Sequence, residues 1–156
     1  GYDGNLRRLV ELARGRYVFF LSNDDYVAPG AFRAIAEGLA KHGDVGLILR
    51  AFSFFEGDPS NVLRTTRYFP DVRLLPAGRE TARFCFRRLV IISGIVTQRD
   101  LAHAAASTRV DGLLFYQQWM ATHILMQASA LCLPTPLALF RLGGLPEFGN
   151  SDAEKA

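Results

Sequence analysis

The hydrophobic pattern along this chain alternates between helical spacing and the continuous apolar runs that are typical of buried strands. Residues 5–14 place their apolar side chains on one helical face, so they predict an amphipathic helix that ends at Gly15. Residues 17–21 are apolar throughout and rich in aromatic side chains, which predicts a strand covered on both faces of a parallel sheet. An apolar stripe over residues 29–42, opened by Pro29, predicts a second helix.

The same alternation continues along the rest of the chain. Further strands are predicted over residues 45–55, 62–69 and 90–97, and further helices over residues 77–89, 99–107 and 112–128. Asp111 is positioned to cap the last of these helices. Residues 131–142 are also extended, but Pro134 and Pro136 confine them to a sheet edge or an irregular connection, because proline cannot donate to a sheet ladder. Strands that alternate with helices indicate an α/β fold, with a mostly parallel sheet flanked by helices.

Length and composition indicate one globular domain. The chain has 156 residues, of which 49% are hydrophobic and 21% are charged, and it contains 14 glycines and 7 prolines. These proportions exclude a disordered or fibrous protein. Cys85 and Cys132 lie in apolar surroundings without the spacing of a metal site or a disulfide scaffold. A reduced cytoplasmic location is therefore the default expectation.

The net charge of +3 comes almost wholly from arginine, since the 18 basic residues include only two lysines. These arginines are spread along the chain, and no basic patch alternates with aromatic residues, so nucleic acid is not an expected partner. Arginine suits bidentate contact with phosphate, although the codon usage of a GC-rich genome is the simpler explanation of the bias. No segment has the pattern of a signal peptide, the apolar run over residues 89–96 is too short to span a membrane, and the longer stretch over residues 113–140 is interrupted by polar residues and prolines. Peripheral membrane contact stays open.

The most informative segment is Ser22-Asn23-Asp24-Asp25, which follows the predicted strand over residues 17–21. Open α/β sheets bind their ligands at the carboxyl ends of strands. Two adjacent carboxylates stay ionised together most readily beside a cation, and Mg²⁺ is the oxygen-seeking ion that carboxylates share with substrate phosphates. The segment therefore predicts a metal bound to a diphosphate, where the ion stabilises charge on a phosphate leaving group. The alternative is an acidic turn that caps nearby amides and complements the dipole of the next helix.

These features together resemble the family-2 glycosyltransferases of the GT-A fold: an opening Gly-Asn pair, an amphipathic helix, an apolar strand, the Ser-Asn-Asp-Asp motif and then Pro29. The resemblance implies that Asn23, Asp24 and Asp25 occupy the family's Asp-x-Asp type motif. Asn23 then stands at the first carboxylate position, which is a departure that some members share. The resemblance also implies that Asp24 lies near the sugar or ribose and that Asp25 holds the Mg²⁺ or Mn²⁺ ion that bridges the nucleotide diphosphate.

The resemblance continues through residues 92–99, which are similar to the family's acceptor-side strand. Gly94 would let a substrate approach the backbone closely, and a packing glycine in the strand is the alternative. The family usually carries a Glu-Asp pair at the start of the next helix, whose Asp is the general base, but residues 115–119 contain no carboxylate. Because glutamine cannot accept a proton at any useful pH, Asp111 and His123 are the substitute candidates for the base. The alternatives are a helix cap for Asp111 and a satisfied core side chain for His123.

Four other side chains are weaker candidates for substrate contact. Trp119 and Tyr116 could stack on a sugar face, but aromatic residues at helical spacing are more often core, and we favour core. Arg99 and Arg141 could contact the diphosphate or an acceptor phosphate, and the alternative for both is a solvated face.

The resemblance implies an enzyme that transfers a sugar from a nucleotide-diphosphate donor to a glycan or lipid-linked acceptor, as in the assembly of bacterial surface polysaccharide. It further implies metal dependence and inversion at the anomeric carbon. A noncatalytic remnant or interaction domain is the main alternative, because the Glu-Asp pair is missing. A metal-dependent phosphotransfer or phosphohydrolase site is a weaker one, because the sequence displays no nucleophile or water-positioning group for it.

The resemblance covers residues 4–142 and matches only the later part of the GT-A fold. No strand-helix-strand half that would grip the nucleotide base precedes Asn5, and the chain opens on Gly1 instead of methionine. We therefore expect residues 1–142 to be the carboxyl-terminal portion of a GT-A domain truncated at its amino terminus, and residues 143–156 to be a tail. Sugar transfer would then need the amino-terminal half as well.

Overall fold

A computed structural model describes residues 1–143 of the chain. Its helices are α1 (Tyr2–Leu12), α2 (Ala31–His42), α3 (Arg79–Phe86), α4 (Arg99–Ala104) and α5 (Tyr116–Leu125). Its strands are β1 (Tyr17–Phe19), β2 (Tyr26–Val27), β3 (Leu47–Phe55), β4 (Val62–Thr66), β5 (Arg73–Leu75), β6 (Val96–Gln98) and β7 (Ala130–Arg141). Within this part of the chain, no helix combines the length and the apolar character needed to cross a membrane. The predicted α/β class is confirmed, whereas the predicted tail lies outside the described residues except for Gly143.

All seven strands join one sheet in the order β1-β6-β3-β7-β2, with β4 beside β3 and β5 beside β7. Among residues 1–143, β3 and β7 form a parallel pair and the other five pairings are antiparallel. The sheet is thus mixed and differs from the mostly parallel sheet that the sequence predicted. Continuous apolar runs indicate that both faces of a strand are buried, but burial does not determine strand direction. The strand β3 is buried along its whole length, although β4 and β6 run antiparallel to it.

The strand β7 lies inside the sheet, although its prolines predicted an edge or an irregular connection. It pairs with β3 on one side, and on the other with β5 at residues 130–132 and with β2 at residues 138–139. Pro134 and Pro136 fall between these last two pairings, so neither lies opposite β5 or β2, while Pro136 lies opposite Ala51 of β3 on the other side. The register against β3 also shifts at this point. A bulge beside an unpaired stretch therefore accommodates two prolines in a central strand.

Helices cover both faces of the sheet. The larger core cluster packs α1, α3, α4 and α5 against one face and includes Leu47 and Leu49 of β3. The helix α2 covers the other face, where Ile35 belongs to the same cluster as Ile48 of β3. Alternate residues of β3 thus face opposite layers, as side chains along a strand do.

Both cysteines are free thiols buried in the described structure. Burial raises the pKa of Cys85 to about 11 and the pKa of Cys132 to about 12. The two thiols therefore stay protonated at neutral pH and pack as small apolar side chains.

Two predicted boundaries move because glycines adopt the left-handed region. The helix α2 begins at Ala31, two residues later than predicted, because Gly30 takes a φ of 77°. The strand predicted over residues 90–97 is reduced to β6, because the chain before it turns at Gly94 with a φ of 81°. Glycine adopts such angles at little cost, whereas other residues rarely do.

Candidate active site

Asp25 lies in the turn between β1 and β2 and links it to two distant parts of the chain. Its side chain is 7% exposed. The Ser93 hydroxyl donates a hydrogen bond of 2.5 Å to Asp25 Oδ2, and the Arg141 backbone N–H donates one of 2.9 Å to Oδ1. Ser93 Oγ also accepts a hydrogen bond of 2.9 Å from the N–H of Ser22. The carboxylate therefore connects this turn, residues 22–25, which we call the acidic turn, to the loop before β6 and to the end of β7.

The electrostatic surroundings of Asp25 fit a side chain that organises the turn. Burial raises its pKa, and the hydrogen bonds from Ser93 and Arg141 oppose part of that rise. The charge of Asp24 acts in the same direction as burial. Both oxygens of the carboxylate are already hydrogen-bonded within the protein. Its role as the metal ligand stays a prediction.

Arg50 holds the loop that carries Ser93, and sequence reasoning missed it. Its side chain is 1% exposed. Nε donates to the carbonyl oxygen of Ser93 over 2.9 Å, and Nη2 donates to that of Ile91 over 2.8 Å. Burial lowers the pKa of Arg50 to about 10, so the guanidinium is charged at neutral pH. The signal in the sequence was a lone charge within the apolar run of residues 45–55.

Asn23 and Asp24 face solvent, in contrast to Asp25. Nε of Arg141 donates to the backbone carbonyl oxygen of Asp24 over 3.2 Å. The Arg141 guanidinium carbon also lies 5.3 Å from the centre of the Phe55 ring, in a cation–π contact. The acidic turn therefore presents one exposed carboxylate next to an anchored arginine.

Arg99, the other arginine considered above, lies elsewhere. It is the first residue of α4, and its guanidinium forms an ion pair of 2.6 Å with Asp100. Another of its nitrogens donates to the carbonyl oxygen of Ala13 over 3.5 Å. Of the two arginines, only Arg141 contacts the acidic turn in the described structure.

The donor set of the turn suits a shared cation better than a resident one. In the part of the chain that the structure describes, no three His, Cys, Asp or Glu side chains form a group that could hold a metal ion. Mg²⁺ is commonly bound by one or two protein carboxylates together with substrate phosphates. Asp24 supplies an open carboxylate and Asp25 a buried one beside it, which fits an ion that arrives with a diphosphate.

Gly94 lies in the turn next to Ser93, and side chains of this protein occupy the space next to its Cα atom. A Cβ atom at this position would stand 3.0 Å from Nε of Arg50 and 3.1 Å from Cβ of Ala138. The N–H of Gly94 donates to the carbonyl oxygen of Phe20 over 2.8 Å. The close approach that requires glycine here is thus made by Arg50, and substrate contact at Gly94 stays a prediction.

Asp111 does not cap α5, which has Phe115 at its N-cap position. Its carboxylate forms a two-pronged ion pair with Arg7 of α1, at 2.6 Å and 3.0 Å. The hydrogen bond from Arg7 lowers the pKa of Asp111. An acid of lowered pKa is a weaker proton acceptor, so this environment does not favour a general base.

The turn before α5 is held instead by Asp3, which is 2% exposed. Its Oδ2 accepts hydrogen bonds from the N–H groups of Gly112 and Leu114, at 2.8 Å and 3.0 Å. Its Oδ1 accepts a third, of 3.1 Å, from the N–H of Tyr116. Leu114 adopts a φ of 61°, in the left-handed region that non-glycine residues rarely occupy. Nothing local in the sequence distinguishes Asp3 from any acidic residue in a first helical turn.

Replacing Asp111 by asparagine should remove a small part of the stability that depends on pH. Arg7 holds the pKa of Asp111 below its usual value of 3.8, so the unfolded chain binds more protons in the interval between the two values. The contribution is therefore present above pH 3.8 and is lost as the pH falls through the folded-state pKa. Thermal unfolding of both proteins above and below this interval measures the effect, which stays small because the pair is exposed. Asp71→Asn is the exposed control, and an equal loss at both pH values would contradict the ion-pair origin.

His123 lies on the exposed surface of α5, not in the core that was its alternative. Its Nδ1 is 2.9 Å from the carbonyl oxygen of Trp119, and the two rings stack at 4.1 Å between centroids. The indole N–H of Trp119 donates to the carbonyl oxygen of Ala105 over 3.1 Å. Tyr116 is fully buried, as the helical spacing favoured. The role of His123 as a base stays a prediction.

Gln117 and Gln118 stand where the resemblance expects acidic residues, and both are buried. The side-chain amide of Gln117 donates to the carbonyl oxygen of Val90 over 3.2 Å. The amide of Gln118 donates to the carbonyl oxygen of Phe86 over 3.4 Å. The start of α5 thus binds α3 and the segment after it through polar side chains that cannot act as bases.

Comparison with protein-family models matches residues 1–99 to the family described as Glycosyl transferase family 2. The matched region contains the acidic turn, Arg50 and Ser93. A search of curated proteins found no match.

Comparison with solved structures finds a similar fold in the crystal structure of S. aureus TarS 1-349, with a TM-score of 0.58 and 12% sequence identity. The match covers 90% of this chain and 40% of that chain, so this chain spans less than half of the structure it resembles. Likeness at this identity bears on the fold alone. Together with the family match, it confirms the predicted partial GT-A fold.

Proposed function

The chain belongs to glycosyl transferase family 2, and on this premise we propose that it takes part in transfer of a sugar from a nucleotide-diphosphate donor to a glycan or lipid-linked acceptor. One observation carries the proposal to this site. Asp24 is exposed, and the guanidinium of Arg141 donates to its backbone carbonyl oxygen, on a turn that the buried Asp25 anchors after β1. A cation and an arginine side by side are complementary to a diphosphate.

The proposed reaction is a direct displacement at the anomeric carbon of the donor sugar. A hydroxyl oxygen of the acceptor forms the new bond to that carbon while the bond to the diphosphate oxygen breaks. The electron pair leaves with the nucleoside diphosphate, and the proton of the acceptor hydroxyl passes to a base. Attack from the face opposite the leaving group inverts the configuration.

Magnesium or manganese bound with the donor would act as a Lewis acid that neutralises charge on the leaving diphosphate. We assign the exposed Asp24 to hold this ion and place Asp25, the ligand expected from the sequence, beneath it. The burial of Asp25 and the hydrogen bonds at both its oxygens support this division of roles. Arg141 would contact the diphosphate oxygens from the same side, and Asn23 lies in the same turn.

The reaction needs a general base that takes the proton from the acceptor hydroxyl. Asp111 and His123 are the candidates from the sequence, and each is engaged elsewhere: Asp111 by Arg7, and His123 by stacking on Trp119. Transfer assays of Asp111→Asn and His123→Gln, in a protein that contains the complete catalytic domain, would test them. Full activity of both variants would remove both residues from the mechanism.

The alternative of a noncatalytic remnant rests on a specific observation. Gln117 and Gln118 occupy the helix start where the resemblance expects the base, and their amides bind backbone carbonyls. A domain of this kind would still bind a nucleotide but would not turn it over. Release of nucleoside diphosphate from nucleotide sugars in the presence of acceptor separates the two functions.

Thermal unfolding with Mn²⁺ and a panel of nucleoside diphosphates tests the proposed site. A ligand at about 100 times its Kd adds roughly 2.7 kcal/mol to the stability of the folded state, so we expect one of them to raise Tm by about 5–10 °C. Asp24→Asn should abolish the part of this shift that requires Mn²⁺. Asp100→Asn, which removes an exposed carboxylate on α4, is the matched control. The absence of a shift with every nucleotide, or an unchanged shift in Asp24→Asn, would reject the assignment.

A further inference from the structure

Large apolar side chains are exposed on two segments that lie far apart in the sequence. In α3 and the residues after it, Phe86 is 47% and Val90 57% exposed. In the loop before α5, Leu113 is 59%, Leu114 48% and Phe115 55% exposed. We call these five residues the apolar rim. Solvent-exposed clusters of this kind mark interaction surfaces in folded proteins.

Contacts at the start of α5 bring the two segments together. Phe115 immediately precedes α5, whose first turn contains Gln117 and Gln118. These two amides bind the carbonyl oxygens of Val90 and Phe86, respectively. The two exposed segments of the apolar rim are therefore neighbours at the start of α5.

The loop part of the apolar rim is held in place by a buried group. Asp3 accepts hydrogen bonds from the N–H groups of Gly112, Leu114 and Tyr116, which bracket the exposed side chains. The backbone of this loop is thus fixed from inside the protein. Its apolar side chains are exposed on a backbone that these hydrogen bonds anchor.

Cationic side chains border the apolar rim on α3. Arg79, Arg83 and Arg87 are exposed, and Glu80 is the one acidic residue among positions 79–90. Arg83 and Arg87 line a shallow depression of about 250 Å³ together with Glu80, Phe84 and Arg88. Within residues 1–143, neither Arg83 nor Arg87 forms an ion pair. Their charge is therefore available to an anionic partner.

We propose that the apolar rim and the arginines of α3 form a docking surface for an anionic lipid bilayer. Exposed aromatic and aliphatic side chains enter the boundary between headgroups and acyl chains, while guanidinium groups bind lipid phosphates. A soluble polyanion would use the arginines and leave the apolar rim in water. The presence of exposed arginines and exposed apolar side chains in neighbouring segments favours a lipid surface.

If the proposed function holds, the position of the apolar rim also indicates the side from which a lipid-linked acceptor reaches the site. Val90 is three residues from Ser93, whose hydroxyl binds Asp25. A bilayer on the apolar rim would therefore lie on the side of the molecule where the loop before β6 meets the acidic turn. A lipid-linked acceptor would be delivered to the site from that side.

Co-sedimentation with vesicles tests the docking surface without nucleotide or sugar donor. We expect binding to vesicles that contain phosphatidylglycerol, and little binding to vesicles of phosphatidylcholine alone. Each arginine near an anionic surface contributes about a factor of five in affinity, so Arg83→Gln with Arg87→Gln should weaken binding roughly 30-fold. The matched control is Arg33→Gln with Lys41→Gln, which removes the same charge from exposed positions on α2.

A second pair of variants tests insertion of the apolar rim. Phe86→Ser with Phe115→Ser should weaken binding at least tenfold, whereas Phe32→Ser, at an exposed phenylalanine of α2, should leave it unchanged. An equal loss in the α2 controls, no binding to any vesicle, or binding that ignores the phenylalanine changes would each overturn the proposal. Nucleoside diphosphate binding, measured on the same variants by thermal unfolding, should stay unchanged. If the wild-type chain binds vesicles but no nucleoside diphosphate, the proposed function is rejected and the docking surface is still supported.

Discussion

Replacement of Arg50 by methionine should lower the free energy of unfolding by about 2–4 kcal/mol and disorder the site around Asp25. The guanidinium binds the carbonyl oxygens of Ile91 and Ser93. Methionine fills much of the same volume but donates no hydrogen bond, so two carbonyl groups lose their partner. An unsatisfied buried polar group costs about 1–3 kcal/mol, and the relief of burying a charge offsets part of the sum.

The effect on the site follows from the connection between Arg50 and Asp25. The carbonyl oxygen of Ser93 accepts a hydrogen bond from Arg50, and the hydroxyl of Ser93 donates one to Asp25. Once the loop loosens, Asp25 loses a hydrogen bond that opposes the effect of burial on its pKa. We therefore expect the nucleotide-dependent rise in Tm to fall in Arg50→Met, beyond what the loss of stability alone explains.

Denaturant unfolding measures the first effect through the midpoint, and thermal unfolding with Mn²⁺ and nucleotide measures the second. Arg64→Met is the matched control, because Arg64 is exposed on β4 and contacts the Phe54 ring through its guanidinium at 4.1 Å. Its loss should cost less than about 1 kcal/mol. Equal destabilisation by the two substitutions would show that Arg50 has no special role in holding the loop.

Replacement of Asp3 by alanine should destabilise the protein by about 2–4 kcal/mol, because three backbone N–H groups lose one shared acceptor. Leu114 would also lose the contact that holds its backbone at a φ of 61°. Denaturant unfolding gives the change in free energy. Hydrogen exchange of the Gly112, Leu114 and Tyr116 amides shows whether the loss is local to this turn.

Two variants control for charge and for helix composition. Asp3→Asn keeps one side-chain oxygen, so it should retain part of the hydrogen bonding and lose less stability than alanine. Glu11→Ala removes an exposed acidic residue from the same helix, where it pairs with Arg8, and should cost less than about 1 kcal/mol. A similar loss for Asp3→Ala and Glu11→Ala would contradict the capping role of Asp3.

Most of the elements could be predicted from the sequence because their signals are local. The amphipathic helix over residues 5–14 corresponds to α1, and the apolar run over residues 45–55 corresponds to β3. The sheet arrangement could not be predicted in the same way. Strand direction and order depend on which segments pair, and β7 lies inside the sheet with its prolines between its pairings with β5 and β2.

The residues of the candidate site also separate into those that local sequence predicts and those that only the structure identifies. A polar turn after a buried strand drew attention to Asn23, Asp24 and Asp25, and the structure places all three in that turn. Arg50 and Asp3 were missed because their importance lies in what they bind. Asp111 was expected at a helix start for its residue type, yet the N–H groups near that start are bound by Asp3 from α1.

The sequence by itself determined the alternation of helices and strands, the acidic turn after β1 and the resemblance to a glycosyltransferase family, because each depends on neighbours along the chain. Only the tertiary structure decided which carboxylate of that turn is exposed. Asp25 is buried because Ser93 and Arg141, 68 and 116 positions away, donate to its two oxygens, whereas Asp24 is left in solvent. Hydrogen bonds over such separations have no counterpart in local spacing, so the difference in burial between two adjacent aspartates emerges only when the sheet has assembled.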